Sequence, residues 1–179
     1  MSGGFIPRPE HPRPDFYRKC WFNLNGPWQF TFDDENIGIA KHWERQDVSF
    51  SKEIIVPNCY QCKASGIGDT AYHPVMWYKS WFNLPSYMTG KRILLRFGAV
   101  DFSCVVYMNG YRVGGHQGGY TPFALDVTPF IIDGKNSICL RIEDERDCTQ
   151  PRGKQLWKDN RFDCWYTATS GIWQTVYLE

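Results

Sequence analysis

The side chains best suited to chemistry in this chain are its acids and thiols, and the acids fall into two runs. Asp33-Asp34-Glu35 and Glu143-Asp144-Glu145 each set carboxylates side by side. Acid–base work needs carboxyl groups that face a common substrate, whereas neighbours on extended chain point to opposite sides. Both runs therefore read as solvated surface acids, and no catalytic residue is assigned. The seven cysteines are an odd number in a chain too large to need covalent staples, which predicts reduced thiols. Cys59-Tyr60-Gln61-Cys62 is a CxxC, but no second CxxC or paired histidine completes a four-ligand set. These read as plain loop cysteines, and neither metal nor cofactor is expected. Cys104 and Cys139 lie within apolar strand patterns and read as small core residues.

The groups that remain need a frame. At 179 residues the chain is long enough for one domain with a proper core. Twenty Lys and Arg against nineteen Asp and Glu leave a net charge of +1, too little to favour nucleic acid or an anionic membrane. The apolar stretches at 54–56 and 104–108 are far shorter than the ~20 residues needed to span a bilayer. The opening MSGGFIPRPEHPRPDF has four prolines and no apolar run of the secretory kind, so a cytoplasmic location is expected.

Aromatics make up 17% of the chain, with eight Trp, and Gly and Pro are frequent (16 and 11 residues). That is the profile of many short strands joined by tight turns, and it predicts an all-β sandwich. Trp28-Gln29-Phe30-Thr31-Phe32 alternates at period two, as a half-buried strand does. Segment 37–46 suggests one or two helical turns. Strands are expected at 52–57, 77–84, 92–97, 103–108, 111–114, 123–127, 137–142 and 172–178. Asn109-Gly110 suits a type I′ hairpin turn because both central residues must accept positive φ. Two stretches are too long for simple connectors: 58–74, and 143–164, where Arg146, Arg152, Lys154, Lys158 and Arg161 mix with six acids.

Six fragments carry a resemblance. They are Leu24-Asn25-Gly26-Pro27-Trp28-Gln29-Phe30, Trp77-Tyr78-Lys79, Gly98-Ala99-Val100-Asp101, Val105-Val106-Tyr107-Met108-Asn109-Gly110, Gly118-Gly119-Tyr120-Thr121-Pro122-Phe123 and Thr169-Ser170-Gly171-Ile172-Trp173-Gln174-Thr175-Val176. In this order, from about Trp21 to Glu179, the chain resembles the sugar-binding domain of family 2 glycoside hydrolases, the group of β-galactosidases, β-glucuronidases and β-mannosidases. Residues 1–20 form a proline-rich lead before it.

The resemblance implies a galactose-binding-like jelly-roll sandwich, followed in a parent protein by an immunoglobulin-like domain and a TIM barrel that carries the catalytic glutamates. Retaining glycosidases use two carboxyl groups ~5 Å apart, and none is expected on this domain. By the same resemblance, two stretches would reach the rim of the barrel's active site, where a β-linked sugar would lie: Ala71-Tyr72-His73-Pro74 and Asp163-Cys164-Trp165-Tyr166. Asp163 is the acid placed to accept sugar hydroxyls, and Trp165 could cover the apolar face of a pyranose. The chain departs from relatives in two extra residues before Ser170-Gly171 and in His73 where some have Asn. Arg152, Lys154 and Lys158 are candidates for contact with the barrel or a substrate. Trp28, Trp77 and Trp81 read as core packing rather than sugar platforms. A free-standing carbohydrate-binding module and a pure subunit-interaction domain are the alternatives.

Overall fold

The computed structural model describes residues 6–158 and 162–179, so Arg161 lies outside the described residues. Among the described residues twelve strands fall in chain order: β1 (Phe22–Asn23), β2 (Gly26–Phe32), β3 (Lys52–Val56), β4 (Val75–Asn83), β5 (Leu94–Phe97), β6 (Val100–Asp101), β7 (Ser103–Met108), β8 (Tyr111–Gln117), β9 (Phe123–Asp126), β10 (Lys135–Glu143), β11 (Gly171–Ile172) and β12 (Val176–Leu178). A six-stranded sheet, β3-β2-β4-β10-β7-β8, faces a four-stranded sheet, β1-β12-β5-β9, and β6 and β11 form a short ribbon beside them. All these pairings are antiparallel. From β4 onward the chain passes repeatedly from one sheet to the other, as in a jelly roll. Among the described residues no helix is long and apolar enough to cross a membrane.

The inward faces follow from period-two alternation. Along β7, Cys104, Val106 and Met108 point into the core while Ser103, Val105 and Tyr107 do not. Trp28, Phe30, Tyr78, Leu95, Phe97, Leu140 and Val176 meet them between the sheets. Strand β10 behaves differently: residues 136–142 are all buried, so alternation is lost there. Its outer side lies under a second, smaller cluster in which Trp43 and Phe50 pack with Trp77 and Cys139.

The cover over that outer side is the 37–50 segment, and it is not helical. One helix-type bond, from the Lys41 N–H to the Ile37 carbonyl, is followed by irregular ones from His42 to Ile39 and Trp43 to Gly38. His42 adopts φ +52, which interrupts a right-handed helix. Lys79 supplies the competing order. Its ammonium, on a side chain with no residual exposure, donates to the carbonyls of Trp43, Arg45 and Val48 at 2.6–2.7 Å. Burial lowers its pKa, and the three carbonyl dipoles offset the cost of desolvating the charge.

Asp33 is also buried, which corrects its reading as a solvated acid. Its carboxylate accepts the Ile37 and Gly38 N–H groups at 2.8 and 2.9 Å and the Trp77 indole N–H at 2.9 Å. Three donors replace the water it gives up. The expected closing strand at 172–178 is two strands, because residues 173–175 carry the chain from the β6 ribbon to the four-stranded sheet. The described part of the lead packs on the sandwich rather than trailing from it. His11 sits among the rings of Tyr17, Trp21 and Tyr177, with centroids 4.9–5.6 Å away.

Candidate functional site

At one end of the sandwich the two long connections converge on a cleft of about 150 Å³. Thr70, Ala71 and Tyr72 of the 58–74 connection line it. Arg146, Leu156 and Lys158 of the later connection line it as well, with Thr167, Ala168 and Ser170 further along the chain, and the Arg146 guanidinium lies 4.6 Å from the Tyr72 ring centroid. A left-handed glycine, Gly66 (φ +85), follows a 3-10 turn at Lys63–Ser65, and the Gly68 N–H then bonds back to the Tyr60 carbonyl at 3.0 Å.

The floor is a chain of polar groups. Asp144 accepts the Ser170 hydroxyl at 2.5 Å and the Gln150 amide at 2.8 Å. Gln61 donates to the Ser170 oxygen at 2.9 Å and accepts the Ser170 N–H at 3.0 Å. Burial raises the Asp144 pKa against these hydrogen bonds. Asp144 is thus the second acid that solvation does not describe: its backbone N–H bonds to the Pro74 carbonyl, drawing the side chain under both loops.

Beside this floor, Gln155 ties the later loop across its own neck. Its amide donates to Asp101 at 2.8 Å and to the Tyr120 hydroxyl at 2.9 Å, and its oxygen accepts the Thr169 N–H at 2.6 Å. Asp101 is 2% exposed, and burial pushes its pKa up to about 7. Gly119 packs flat against that carboxylate, so close that a Cβ there would overlap it. Asp101, Gln155, Gln61 and Ser170 escaped the sequence reading as site residues. The signal for Asp101 and Ser170 was their place inside the quoted fragments.

The predicted residues divide. Lys158 lines the cleft, its ammonium 4.6 Å from the Trp157 ring centroid and 4.8 Å from that of Phe162. Trp165 is half-buried in the same cluster, 5.8 Å from Phe162 and 6.5 Å from Trp157. Asp163 is exposed on the adjoining turn at φ +46, outside the cleft lining. Lys154 is exposed as well. Arg152 is buried: its guanidinium donates to the carbonyls of Asp147, Leu156 and Glu145 and lies 3.9 Å from Asp144. It braces its own loop and is also among the residues lining the cleft. His73 turns away from the cleft, stacked on Phe32 with centroids 3.6 Å apart.

The tryptophans Trp28 and Trp77 are core residues with satisfied indole N–H groups, and Trp81 is half-buried beneath Lys135, 5.0 Å from its ring. All seven cysteines are free. Burial pushes the Cys104 and Cys139 thiols up to about 12 and Cys59 up to about 11.

The two-sheet sandwich thus carries a cleft between its two long connections, lined by hydroxyls, amides and the cations Arg146, Arg152 and Lys158 and held by a buried polar network. The family model described as "Glycosyl hydrolases family 2, sugar binding domain" matches residues 22–179, and the chain belongs to that family. Among similar proteins are a putative β-glucuronidase of Formosa agariphila (39% identical over 70% of this chain), a β-glucuronidase of Paenibacillus borealis (29% over 64%) and a β-galactosidase of Thermoanaerobacter pseudethanolicus (28% over 88%). This chain spans 15, 19 and 19% of their respective lengths. Among solved structures, Lactobacillus rhamnosus β-glucuronidase superposes with a TM-score of 0.72 at 25% identity, over 89% of this chain and 28% of that one.

Proposed function

We propose that residues 21–179 form the non-catalytic sugar-binding domain of a cytoplasmic retaining β-glycosidase, supporting a TIM barrel and lending its loop-end cleft to the rim of the barrel's active site. An immunoglobulin-like domain and the barrel are its partners within the parent protein. The observation that carries this reading is the convergence of the two long connections on one cleft. Tyr72 from the first and Arg146 from the second meet there, the guanidinium 4.6 Å from the ring centroid, and Lys158 lines the same cleft. Hydroxyls and amides at such a rim exchange hydrogen bonds with sugar hydroxyls, and the aromatic cluster of Trp157, Phe162 and Trp165 offers apolar surface beside them. Asp163 and Trp165 keep their proposed role of touching a sugar from the turn next to the cleft.

Two measurements test the reading. The 179-residue chain alone is expected to give no turnover of nitrophenyl β-glycosides, and turnover by the purified chain overturns it. In the parent enzyme, Asp163→Ala and Trp165→Ala are expected to raise KM or lower kcat several-fold. Unchanged kinetics favour a pure subunit-interaction domain. Clear calorimetric binding of galactose, glucuronic acid or mannose by the isolated chain favours a free-standing module.

A further inference from the structure

His73 sits one residue beyond the cleft wall, and both of its ring nitrogens meet carboxylates. Nδ1 lies 2.9 Å from both Asp34 oxygens, and Nε2 lies 3.4 Å from Asp69 Oδ2. The side chain is 14% exposed, and the ring lies nearly parallel to Phe32, at 13°. A carboxylate only accepts hydrogen bonds, and a neutral imidazole has a single N–H. Both contacts are hydrogen bonds only when the ring carries two protons.

We propose that Asp34, His73 and Asp69 form a proton-operated clasp, with His73 a positioning residue that holds the 58–74 loop in its cleft-lining conformation. The clasp joins three places in the chain: the turn after β2, through Asp34; the loop apex, through Asp69; and the residue entering β4, through His73. Asp69 passes the constraint to the wall, since its Oδ1 accepts the Ala71 N–H at 2.8 Å. That backbone bond, and the His73 contact after it, hold the Asp69 carboxylate below its usual pKa range. Tyr60 closes the other side, its hydroxyl donating to the Ala71 carbonyl at 3.0 Å, and burial raises its pKa so that it stays neutral. Lys52, 4.7 Å from the Phe32 ring centroid, is the neighbouring cation. When the ring loses a proton, one carboxylate contact loses its donor. The loop then keeps Phe32 stacking and the Tyr60 bond but loses one of its two side-chain ties.

The regulatory sense of the clasp rests on the cleft being the working end of the domain, but its test needs no sugar. Amide hydrogen exchange of Ala71, corrected for the intrinsic rate, is followed between pH 5.5 and pH 8.5. Protection is expected to fall on the order of tenfold as pH rises, the scale of one charge-assisted hydrogen bond. The Asn109 amide, bonded to the Ser137 carbonyl, should stay constant as the internal reference. In His73→Phe, which keeps the stacking, the Ala71 amide should exchange at the faster rate at both pH values. Asp34→Asn, which leaves the ring in place, gives a second reading if that variant folds poorly, and should lower protection at pH 5.5. Ala71 protection that is flat with pH in the wild type, or equally pH-dependent in His73→Phe, overturns the clasp. Either result leaves the rim reading to be judged by the glycoside kinetics.

Discussion

Gln155 donates its side-chain amide to Asp101 over 2.8 Å, a contact that closes 54 residues of chain onto a carboxylate buried beneath Gly119. One acceptor is thereby shared between the quoted Gly98–Asp101 fragment and the loop that lines the cleft. The geometry makes Asp101 a stability determinant with a definite sign.

Burial moves Asp101 from 3.8 to about 7 in the folded chain, so the folded state holds this proton more tightly than the unfolded one. Its contribution is complete below pH 4 and is lost as pH rises through 7. Asp101→Asn has no such proton to lose. Its stability relative to the wild type should rise across that window by on the order of 3 kcal/mol. Urea denaturation at pH 4.5 and pH 8 measures the difference, and a pH-independent difference contradicts the burial argument.

Lys79→Met should destabilise the domain by about 2–4 kcal/mol, because the carbonyls of Trp43, Arg45 and Val48 lose their shared donor inside a covered face. Hydrogen exchange should accelerate first in the 37–50 segment, where those carbonyls lie, and later in β10.

Three glycine-to-alanine substitutions should form a graded series. Gly134 has φ +85 with open space around it, so alanine costs only the left-handed backbone, about 1–2 kcal/mol. At Gly119 a Cβ would collide with the Asp101 carboxylate, and at Gly171 it would meet the Tyr78 hydroxyl as well as a φ of +96. Both should exceed Gly134→Ala by about 1–3 kcal/mol in thermal or chemical denaturation.

Thiol chemistry should separate by burial. Cys148 and Cys164 are exposed and should react rapidly with a chromogenic disulfide at pH 8. Cys104 and Cys139, whose thiols burial holds at about 12, should react only after denaturant is added.

What could be read in the sequence was whatever a few adjacent residues decide. The Asn109-Gly110 turn is such a case: φ values of +53 and +85 follow from the two residue types alone. So is the alternation along β7. The acids behaved otherwise. Asp33 is buried because Trp77, 44 residues later, brings an indole N–H to it, and Asp144 because Ser170 arrives from 26 residues away. No local pattern encodes those meetings. The same holds for the site. The length of the two connections marked them, but Arg152 turned inward to its own loop's carbonyls, and His73 turned to Asp34 and Asp69. Gln155 lies in a stretch without periodicity, and nothing in its neighbours distinguishes it.

Strands β1 and β12 are hydrogen-bonded neighbours, Phe22 opposite Leu178 and Asn23 opposite Tyr177. Arg18, just before β1, reaches Glu179, just after β12, at 3.2 Å. Entry and exit of the fold therefore share one edge. A pull applied between these two points would load the β1–β12 pair first and, through the buried Val176 and Leu178 of β12, the core between the sheets.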